Sequence, residues 1–175
     1  QELESMKARF QAMEEETNFF RKRLKEERSR ALTDSLTSLP NREAYDERIQ
    51  LELERWKRYG KPATLVVADV DHFKAVNDDF GHLSGDKVLQ ILAKELQLRI
   101  RKTDFAARYG GEEFVLILPE TELAIARDVL NKTREMVARL PFHFREKQVQ
   151  VTVSFGMVEF AEGLDANELF ERADK

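Results

Sequence analysis

The sequence predicts an α+β fold in which helices pack against a central, mostly antiparallel sheet, preceded by a long N-terminal helix. Residues 63–71 form a continuous apolar run rich in β-branched side chains, which is typical of a strand covered on both faces. Residues 105–118 hold two apolar runs joined at Gly110-Gly111, the pattern of a β-hairpin. Stretches with helical spacing separate these strands, which favours one mixed domain of helices and strands.

The composition excludes several classes of protein. The chain has 175 residues, of which 42% are hydrophobic, enough for the core of one domain. The net charge of -4 argues against a nucleic-acid partner, because such proteins present a basic face. The absence of cysteine excludes disulfides, zinc–thiolate sites and a thiol nucleophile. The lack of cysteine fits a reducing compartment, and we expect a cytoplasmic domain from a larger protein, whose membrane attachment stays open. No apolar run approaches the length of a membrane span.

Residues 1–33 predict a coiled-coil helix. The segment is polar, lacks Gly and Pro, and repeats its seam residues in steps of three and four. Thr17 and Glu27 are the weak positions of this seam. A single amphipathic helix lying on its own domain is the alternative, but a heptad phase held over about four repeats favours pairing with a second copy. The seam consists of Leu3, Met6, Phe10, Met13, Thr17, Phe20, Leu24, Glu27 and Ala31.

Turn and cap residues between positions 34 and 42 end this helix. Asn41 is predicted to cap a second helix, which Gly60 and Pro62 end after Tyr59. The strand 63–71 follows.

Two carboxylates occupy the end of that strand. Alternation places Asp69 and Asp71 on the same face. A carboxylate at the end of a buried strand is costly unless something pairs with it, and a divalent cation is a common partner of hard oxygen ligands. For Asp69 alone, a helix cap or a loop salt bridge is the alternative.

The middle of the chain is predicted to contain a short helix, a loop and a long helix. The short helix covers residues 72–80, and turn chemistry predicts a loop over 81–86. The long helix starts at Ser84 and runs to about Arg101. Asp86 then lies in its first turn, where a favourable helix-dipole position is the alternative to a functional role.

The last third of the chain predicts two helices and two strands. Thr121 is the expected cap of a helix over 122–139. A short strand follows over 141–145, and alternating apolar residues predict one half-buried strand over 148–160. Asp165 is expected to cap a final helix.

The hairpin tip is the strongest candidate for a functional site. Glycine permits φ > 0 and lets a ligand approach closely. Glu112 and Glu113 follow the glycines, and neighbours in a strand point to opposite faces, so one can face a site while the other braces the hairpin. If this hairpin neighbours the 63–71 strand, three or four carboxylates converge on one edge, which favours a divalent-metal site. An ordinary solvated hairpin is the alternative.

These motifs, in their order, resemble those of the GGDEF family of diguanylate cyclases, over residues 34 to 175. The resemblance implies a nucleotide-cyclase, palm-like fold, and the leading helix is similar to the signalling helices that join such domains to upstream sensors. The family usually continues past Asp174 with a helix whose basic residues hold the triphosphate, so the domain looks truncated at its C-terminus. The matching segments are 34–42, 69–74, 77–82, Gly85-Asp86, Arg108-Tyr109 and a GGEEF variant at 110–114.

The resemblance implies condensation of two GTP molecules into cyclic di-GMP with release of pyrophosphate. Each 3′-hydroxyl attacks the α-phosphate of the opposite GTP. The product is two-fold symmetric and one domain holds one GTP, so an active homodimer linked through the coiled coil is expected. Two alternatives remain: a non-catalytic cyclic di-GMP receptor that signals through its coiled coil, and a cyclase that makes a 3′,5′-cyclic mononucleotide.

The resemblance also implies roles for single residues. Asp69, the Val70 carbonyl and Glu112 would bind Mg²⁺, with Mn²⁺ as the alternative ion. Glu112 would accept the proton, Glu113 would support the metal site, and Lys74 would offset phosphate charge. The substrate-binding set comprises Asn77 and Asp86 at the guanine edge, His82 nearby, and Phe73, Gly110 and Gly111.

Arg101 and Asp104 resemble the RxxD inhibitory site of the family, which binds dimeric cyclic di-GMP. Arg101 would clamp phosphate or guanine, Asp104 would take a guanine edge, and Arg55 could add a second basic contact. A surface ion pair three residues apart is the alternative.

Overall fold

The computed structural model describes residues 1–175 and divides them into two compact units, Gln1–Thr33 and Asp34–Lys175. The first unit is the helix α1 (Glu2–Ala31), in which no residue is buried. Acidic residues in its first turn and basic residues in its last turn complement the helix dipole. No helix in the chain has both the length and the apolar character needed to span a bilayer. The large exposed apolar side chains of α1 are Leu3, Met6, Phe10, Met13, Phe19, Phe20 and Leu24.

The second unit contains five helices and six strands. In chain order they are α2 (Arg42–Tyr59), β1 (Thr64–Val70), α3 (Phe73–Phe80), α4 (His82–Arg99), β2 (Phe105–Arg108), β3 (Glu113–Leu118), α5 (Leu123–Ala138), β4 (Phe142–Phe144), β5 (Lys147–Val149), β6 (Val153–Glu159) and α6 (Ala166–Asp174).

Four of these strands form the central sheet, in the order β2-β3-β1-β6. Every neighbouring pair is antiparallel. The strands β4 and β5 form a separate two-stranded sheet. The predicted α+β fold with an antiparallel sheet is therefore confirmed.

Helices cover both faces of this sheet. Along β1, Leu65 and Val67 join the core formed with α2 and α6. The alternate residues Val66, Ala68 and Val70 join the core formed with α3, α4 and α5. This double coverage explains the uninterrupted apolar run of β1, because a strand buried on both faces has no polar side to alternate with.

Two of the predicted helix caps are confirmed. The Asn41 side chain accepts a hydrogen bond from the Ala44 N–H at 3.1 Å at the start of α2, and Gly60 ends that helix with φ +66°. Asp165 begins α6 with a capping box, in which it and Glu168 each accept the backbone N–H of the other.

The predicted loop over 81–86 is wrong. The helix α4 begins at His82, and only Gly81, with φ +88°, separates it from α3. Asp86 therefore lies in the second turn of α4 rather than the first. Gly85 is needed for packing and not for a turn, since a Cβ atom there would overlap the Asn77 side-chain oxygen of α3.

The predicted Thr121 cap is also wrong. The Thr121 hydroxyl donates to the Pro119 carbonyl at 2.9 Å instead. The first N–H of α5, at Leu123, donates to the Glu159 carboxylate of β6 at 2.9 Å. A residue 36 positions away thus caps the helix, and local sequence cannot reveal it.

The predicted single strand over 148–160 is two strands in different sheets. The strand β5 folds back on β4 through Arg145 and Glu146, which have φ values of +50° and +65°. After a break, β6 pairs with β1. The apolar alternation runs on from Val149 through Val151 to Val153, so the sequence pattern carries no mark of the change of partner.

Replacing Gly156 tests the packing of α6 on the sheet. A Cβ atom at this position of β6 would overlap the Ala173 carbonyl oxygen. We expect Gly156→Ala to lower the free energy of unfolding by about 1–3 kcal/mol, because backbone atoms must move apart. Urea unfolding measures this change. The control is Gly111→Ala, whose Cβ would meet nothing within 4 Å. Equal stability of the wild type and Gly156→Ala would contradict the close contact.

Candidate active site

The C-terminal end of β1 lies directly beside the tip of the β2–β3 hairpin. Asp69 is the register partner of Glu113 on one side and of Ser154 on the other. The Val70 N–H donates to the Glu112 carbonyl at 3.3 Å. The predicted juxtaposition of these two sequence-distant points is confirmed.

The tip itself is an irregular turn. The N–H groups of Tyr109 and Gly110 both donate to the Glu113 carbonyl, at 2.8 and 3.2 Å. Neither tip glycine has a positive φ, so left-handed backbone is not the reason for glycine here. A Cβ at Gly110 would lie 2.7 Å from Glu113 Oε2, whereas a Cβ at Gly111 would meet open space. Gly110 therefore makes room for a carboxylate, and Gly111 leaves the tip accessible.

The side chain of Arg108 holds this turn. Its Nε donates to the Gly110 carbonyl at 3.1 Å and its Nη2 to the Gly111 carbonyl at 2.8 Å. Its Nη1 lies 3.2 and 3.3 Å from the two carboxylate oxygens of Asp34. Asp34 in turn accepts the N–H and the hydroxyl of Thr37, at 2.9 and 2.7 Å. Two motifs 74 residues apart thus fix the tip together.

The ionised form of Asp34 is favoured in this arrangement. Burial alone would raise the pKa of the carboxyl, but the hydrogen bonds from Thr37 and the charge of Arg108 outweigh it and hold the pKa below its ordinary value. The ion pair therefore persists into the acid range.

The carboxyl of Asp69 is in the opposite situation. Burial raises its pKa to about 6, and the negative charges of Glu112 and Glu113, followed by those of Asp71 and Asp174, act in the same direction. The end of β1 therefore holds more negative charge than the protein itself neutralises.

Glu113 shares this environment. Burial raises its pKa, and so do the neighbouring charges of Asp174 and Glu112, while the positive charge of Arg42 opposes them. Asp174 reaches the cluster from α6, and Arg42 from the start of α2.

Some of the predicted oxygen donors at the end of β1 and at the hairpin tip are available to a divalent cation. Four carboxylates lie close enough to Asp69 to act on its pKa. No three Asp, Glu or His side chains form a group arranged to hold a metal ion, so ligation by three or four carboxylates stays a prediction. Asp71 is engaged elsewhere, because the hydroxyls of Thr152 and Ser154 donate to its two oxygens at 2.7 and 2.6 Å. Two carboxylates, from Asp69 and Glu112, and a backbone carbonyl remain as hard oxygen donors. Their unneutralised charge fits a metal.

The contact between α3 and α4 supplies the second part of the site. Asn77 Oδ1 is buried against Gly85 and has no hydrogen-bond partner. Phe73 is buried at the same contact, and Asp86 is the next residue of α4. An unpaired buried oxygen is costly, so a ligand that donates a hydrogen bond would be stabilised here.

Two further predicted residues are exposed. His82 begins α4 and Lys74 lies in the first turn of α3. Neither forms a salt bridge, so the structure leaves both available to a ligand without assigning them one.

The turn after α4 contains Arg101 and Asp104. Asp104 Oδ2 accepts the Arg101 N–H at 2.8 Å, and the Asp104 N–H donates to the Arg101 carbonyl at 3.1 Å. The alternative of a side-chain ion pair is therefore wrong. Asp104 Oδ1 is buried without a partner, and burial raises the pKa of this carboxyl against the opposing hydrogen bond and charge of Arg101.

The role of Arg55 as a second basic contact for a ligand at this turn stays a prediction. Arg55 lies 3.3 Å from the Glu52 carboxylate. Arg48 is the α2 residue that reaches the turn, where its Nη2 donates to the Thr103 carbonyl at 3.3 Å.

Sequence reasoning missed several residues that shape the site. Arg42 and Asp174, from opposite ends of the second unit, both act on Glu113. Thr152 and Ser154 donate hydrogen bonds to the Asp71 carboxylate. None of them carries a local signal, because each acts through a contact more than 60 residues distant.

Comparison with known proteins identifies the family. Residues 31–175 match the model described as "Diguanylate cyclase, GGDEF domain". The chain belongs to the GGDEF domain family. Residues 110–114 at the hairpin tip read Gly-Gly-Glu-Glu-Phe in this domain.

Relatives of this GGDEF domain include curated cyclases and solved structures. It is 48% identical over 174 residues to the diguanylate cyclase DgcP of Pseudomonas aeruginosa, covering 99% of this chain and 26% of that protein. The chain therefore spans about a quarter of that relative's length. The coiled coil and GGDEF domain of DgcB from Caulobacter crescentus, solved in complex with c-di-GMP, matches with a TM-score of 0.88 and 33% identity, covering 97% of this chain and 91% of that one.

A second solved relative carries the same spelling of the signature. It is the active GGEEF domain of a diguanylate cyclase from Vibrio cholerae, with a TM-score of 0.71 and 32% identity, covering 77% of this chain and 85% of that one.

Burial of Asp69 and repulsion by its neighbouring carboxylates predict a pH-dependent stability. The folded pKa of about 6 lies above the ordinary value of 3.8, so the metal-free wild type loses stability as the pH rises from 3.8 to 6. Asp69→Asn does not titrate and escapes this loss. We expect it to be more stable than the wild type at pH 7 by about 1 kcal/mol, once solvent screening is allowed for. Below pH 3.5 the difference should vanish.

Urea unfolding in EDTA at pH 7 and pH 3.5 measures both values. Asp78→Asn removes an exposed carboxyl of α3 and serves as the control. Equal stabilities of the wild type and Asp69→Asn at pH 7 would contradict the raised pKa of Asp69.

Proposed function

We propose that this chain is the catalytic part of a diguanylate cyclase, which condenses two GTP molecules into cyclic di-GMP and pyrophosphate. The observation that carries the proposal is the register that sets Asp69 and Val70 of β1 against Glu112 and Glu113 at the hairpin tip. Membership of the GGDEF family and the 48% identity to a curated diguanylate cyclase support it. A pure receptor would have no need for unneutralised carboxylates at this edge.

Asp69, the Val70 carbonyl and Glu112 would hold a divalent ion, Mg²⁺ or Mn²⁺. When bound, such an ion polarises phosphoryl oxygens and lowers the pKa of an attacking hydroxyl. Glu112 would then accept the proton of the 3′-hydroxyl, and Glu113 would support the metal site. Most phosphoryl-transfer catalysis comes from such positioning and charge stabilisation.

The base of GTP would be read between α3 and α4. Guanine offers the N1–H and N2–H₂ donors, and the buried, unpartnered Asn77 Oδ1 is an acceptor. The Asp86 carboxylate supplies a second acceptor, with His82 beside it. Lys74, which forms no salt bridge, would offset phosphate charge.

The reaction needs two domains that face each other. Each domain would hold one GTP, and a symmetric product requires an isologous arrangement. The exposed apolar seam of α1 supports a homodimer joined by a coiled coil, which raises the local concentration of the two sites. An upstream sensor would act through this helix.

The turn after α4 would bind the product. The buried Asp104 Oδ1 has no partner and can accept a guanine donor, and the Arg101 guanidinium is exposed for phosphate. Binding there would inhibit the cyclase.

Replacing Glu112 tests the catalytic proposal. Glu112→Gln keeps the shape of the side chain but cannot accept the proton, so we expect turnover to fall by about 10²–10⁴-fold. Cyclic di-GMP formation from GTP and Mg²⁺ is followed by chromatography. Glu120→Gln changes an exposed carboxyl paired with Lys61 and should keep full activity. Near-normal turnover of Glu112→Gln, or no product from the wild-type dimer, would refute the assignment.

Replacing Arg101 tests product inhibition. We expect Arg101→Ala to keep the initial rate while raising the inhibition constant for cyclic di-GMP by about tenfold or more, because a charged hydrogen bond is lost. Initial rates at increasing product concentration measure it. The matched control is Arg99→Ala, whose guanidinium lies 3.4 Å from Glu95. An unchanged inhibition constant for Arg101→Ala would remove the RxxD turn from the proposal.

A further inference from the structure

The guanidinium of Arg42 lies over an aromatic ring beside the hairpin tip. Its central carbon lies 4.6 Å from the centre of the Tyr109 ring, within cation–π range. Tyr109 directly precedes Gly110 in the chain. Arg42 is the first residue of α2, whose start is anchored by the Asn41 cap. Its side chain is nevertheless exposed to solvent.

The ring that carries Arg42 is itself well anchored. Tyr109 stacks on Phe170 of α6 with ring centres 4.4 Å apart, and it meets Tyr45 edge to face at 5.6 Å. Its N–H donates to the Glu113 carbonyl at 2.8 Å. The aromatic support therefore belongs to the hairpin and packs against two helices, which fixes the ring on which Arg42 lies.

The donors of Arg42 are not used within the protein. Arg108, the other arginine at the tip, donates hydrogen bonds to Asp34, Gly110 and Gly111. Arg42 forms no salt bridge, although its charge is close enough to act on Glu113. A guanidinium with free donors beside the proposed nucleotide site matches the oxygens of a phosphate.

We propose that Arg42 is a substrate-binding residue that holds the terminal phosphates of GTP; this rests on the proposed function. A triphosphate brings several negative charges towards Asp69, Glu112 and Glu113, which already repel one another. The metal would neutralise part of this charge, and Arg42 neutralises more of it from the protein side. The alternative is that Arg42 only braces Tyr109 and Glu113, with no contact to substrate.

Two nucleotides that cannot condense separate these roles. With Mg²⁺ present, 3′-deoxy-GTP has the terminal phosphates but no attacking hydroxyl, and GMP has neither the terminal phosphates nor a leaving group. Isothermal titration calorimetry measures the affinity of each. We expect Arg42→Ala to lower the affinity for 3′-deoxy-GTP by about tenfold or more, and the affinity for GMP by less than about twofold. Arg42→Lys should lie in between, because it keeps the charge and loses the planar fork.

Arg58→Ala is the matched control. Arg58 also lies on α2 and over a tyrosine ring, that of Tyr59 at 5.4 Å, but away from the hairpin tip. The Arg58→Ala variant should bind 3′-deoxy-GTP and GMP with the affinities of the wild type. An indirect effect through Glu113 and the metal predicts that excess Mg²⁺ restores the affinity of Arg42→Ala, whereas loss of a direct contact persists.

The outcomes separate the two proposals. Three results would show that the phosphate contact is wrong while the cyclase proposal stands, provided that the wild type binds 3′-deoxy-GTP. Arg42→Ala would bind 3′-deoxy-GTP as tightly as the wild type, or its affinities for 3′-deoxy-GTP and GMP would fall by the same factor, or excess Mg²⁺ would restore its affinity. If the wild type binds neither nucleotide, the proposed function fails and this inference fails with it.

Discussion

One guanidinium organises the candidate site. Arg108 joins the carboxylate of Asp34 to the carbonyls of Gly110 and Gly111, and so ties the beginning of the domain to the hairpin tip. A bend rich in glycine has many accessible conformations, and ordering it costs conformational entropy. Charged hydrogen bonds to a partly buried group are strong enough to offset that cost. The place of Glu112 beside β1 therefore depends on residues far from it in sequence.

The same arrangement leaves the end of β1 electrostatically unfavourable. Asp34 has its counter-charge and its hydrogen bonds, while Asp69 has mainly other carboxylates around it. Repulsion of this kind lowers the stability of the free protein and is a recognised property of functional sites. The Asp34 carboxylate thus stabilises the fold, and the Asp69 carboxylate is available for a ligand.

The sequence predicted the sheet and the tip because their signals are local and periodic. The apolar run of β1 and the glycine pair reveal two strands, and the carboxylates at their ends reveal the edge where they meet. Prediction from local sequence failed where the contact comes from a distant residue. Glu159 caps α5 in place of Thr121, and Arg42 and Asp174 act on Glu113 from distant parts of the chain. The alternation across residues 148–160 also hid a change of sheet, since period alone does not identify a strand's partner.

The contact of Gly85 with Asn77 has an evolutionary consequence. The missing methyl group at position 85 is the space that the amide oxygen of residue 77 occupies, so the two sites cannot vary independently. A larger residue on α4 would displace the amide from its place at the helix contact. The identity of one position should therefore constrain that of the other.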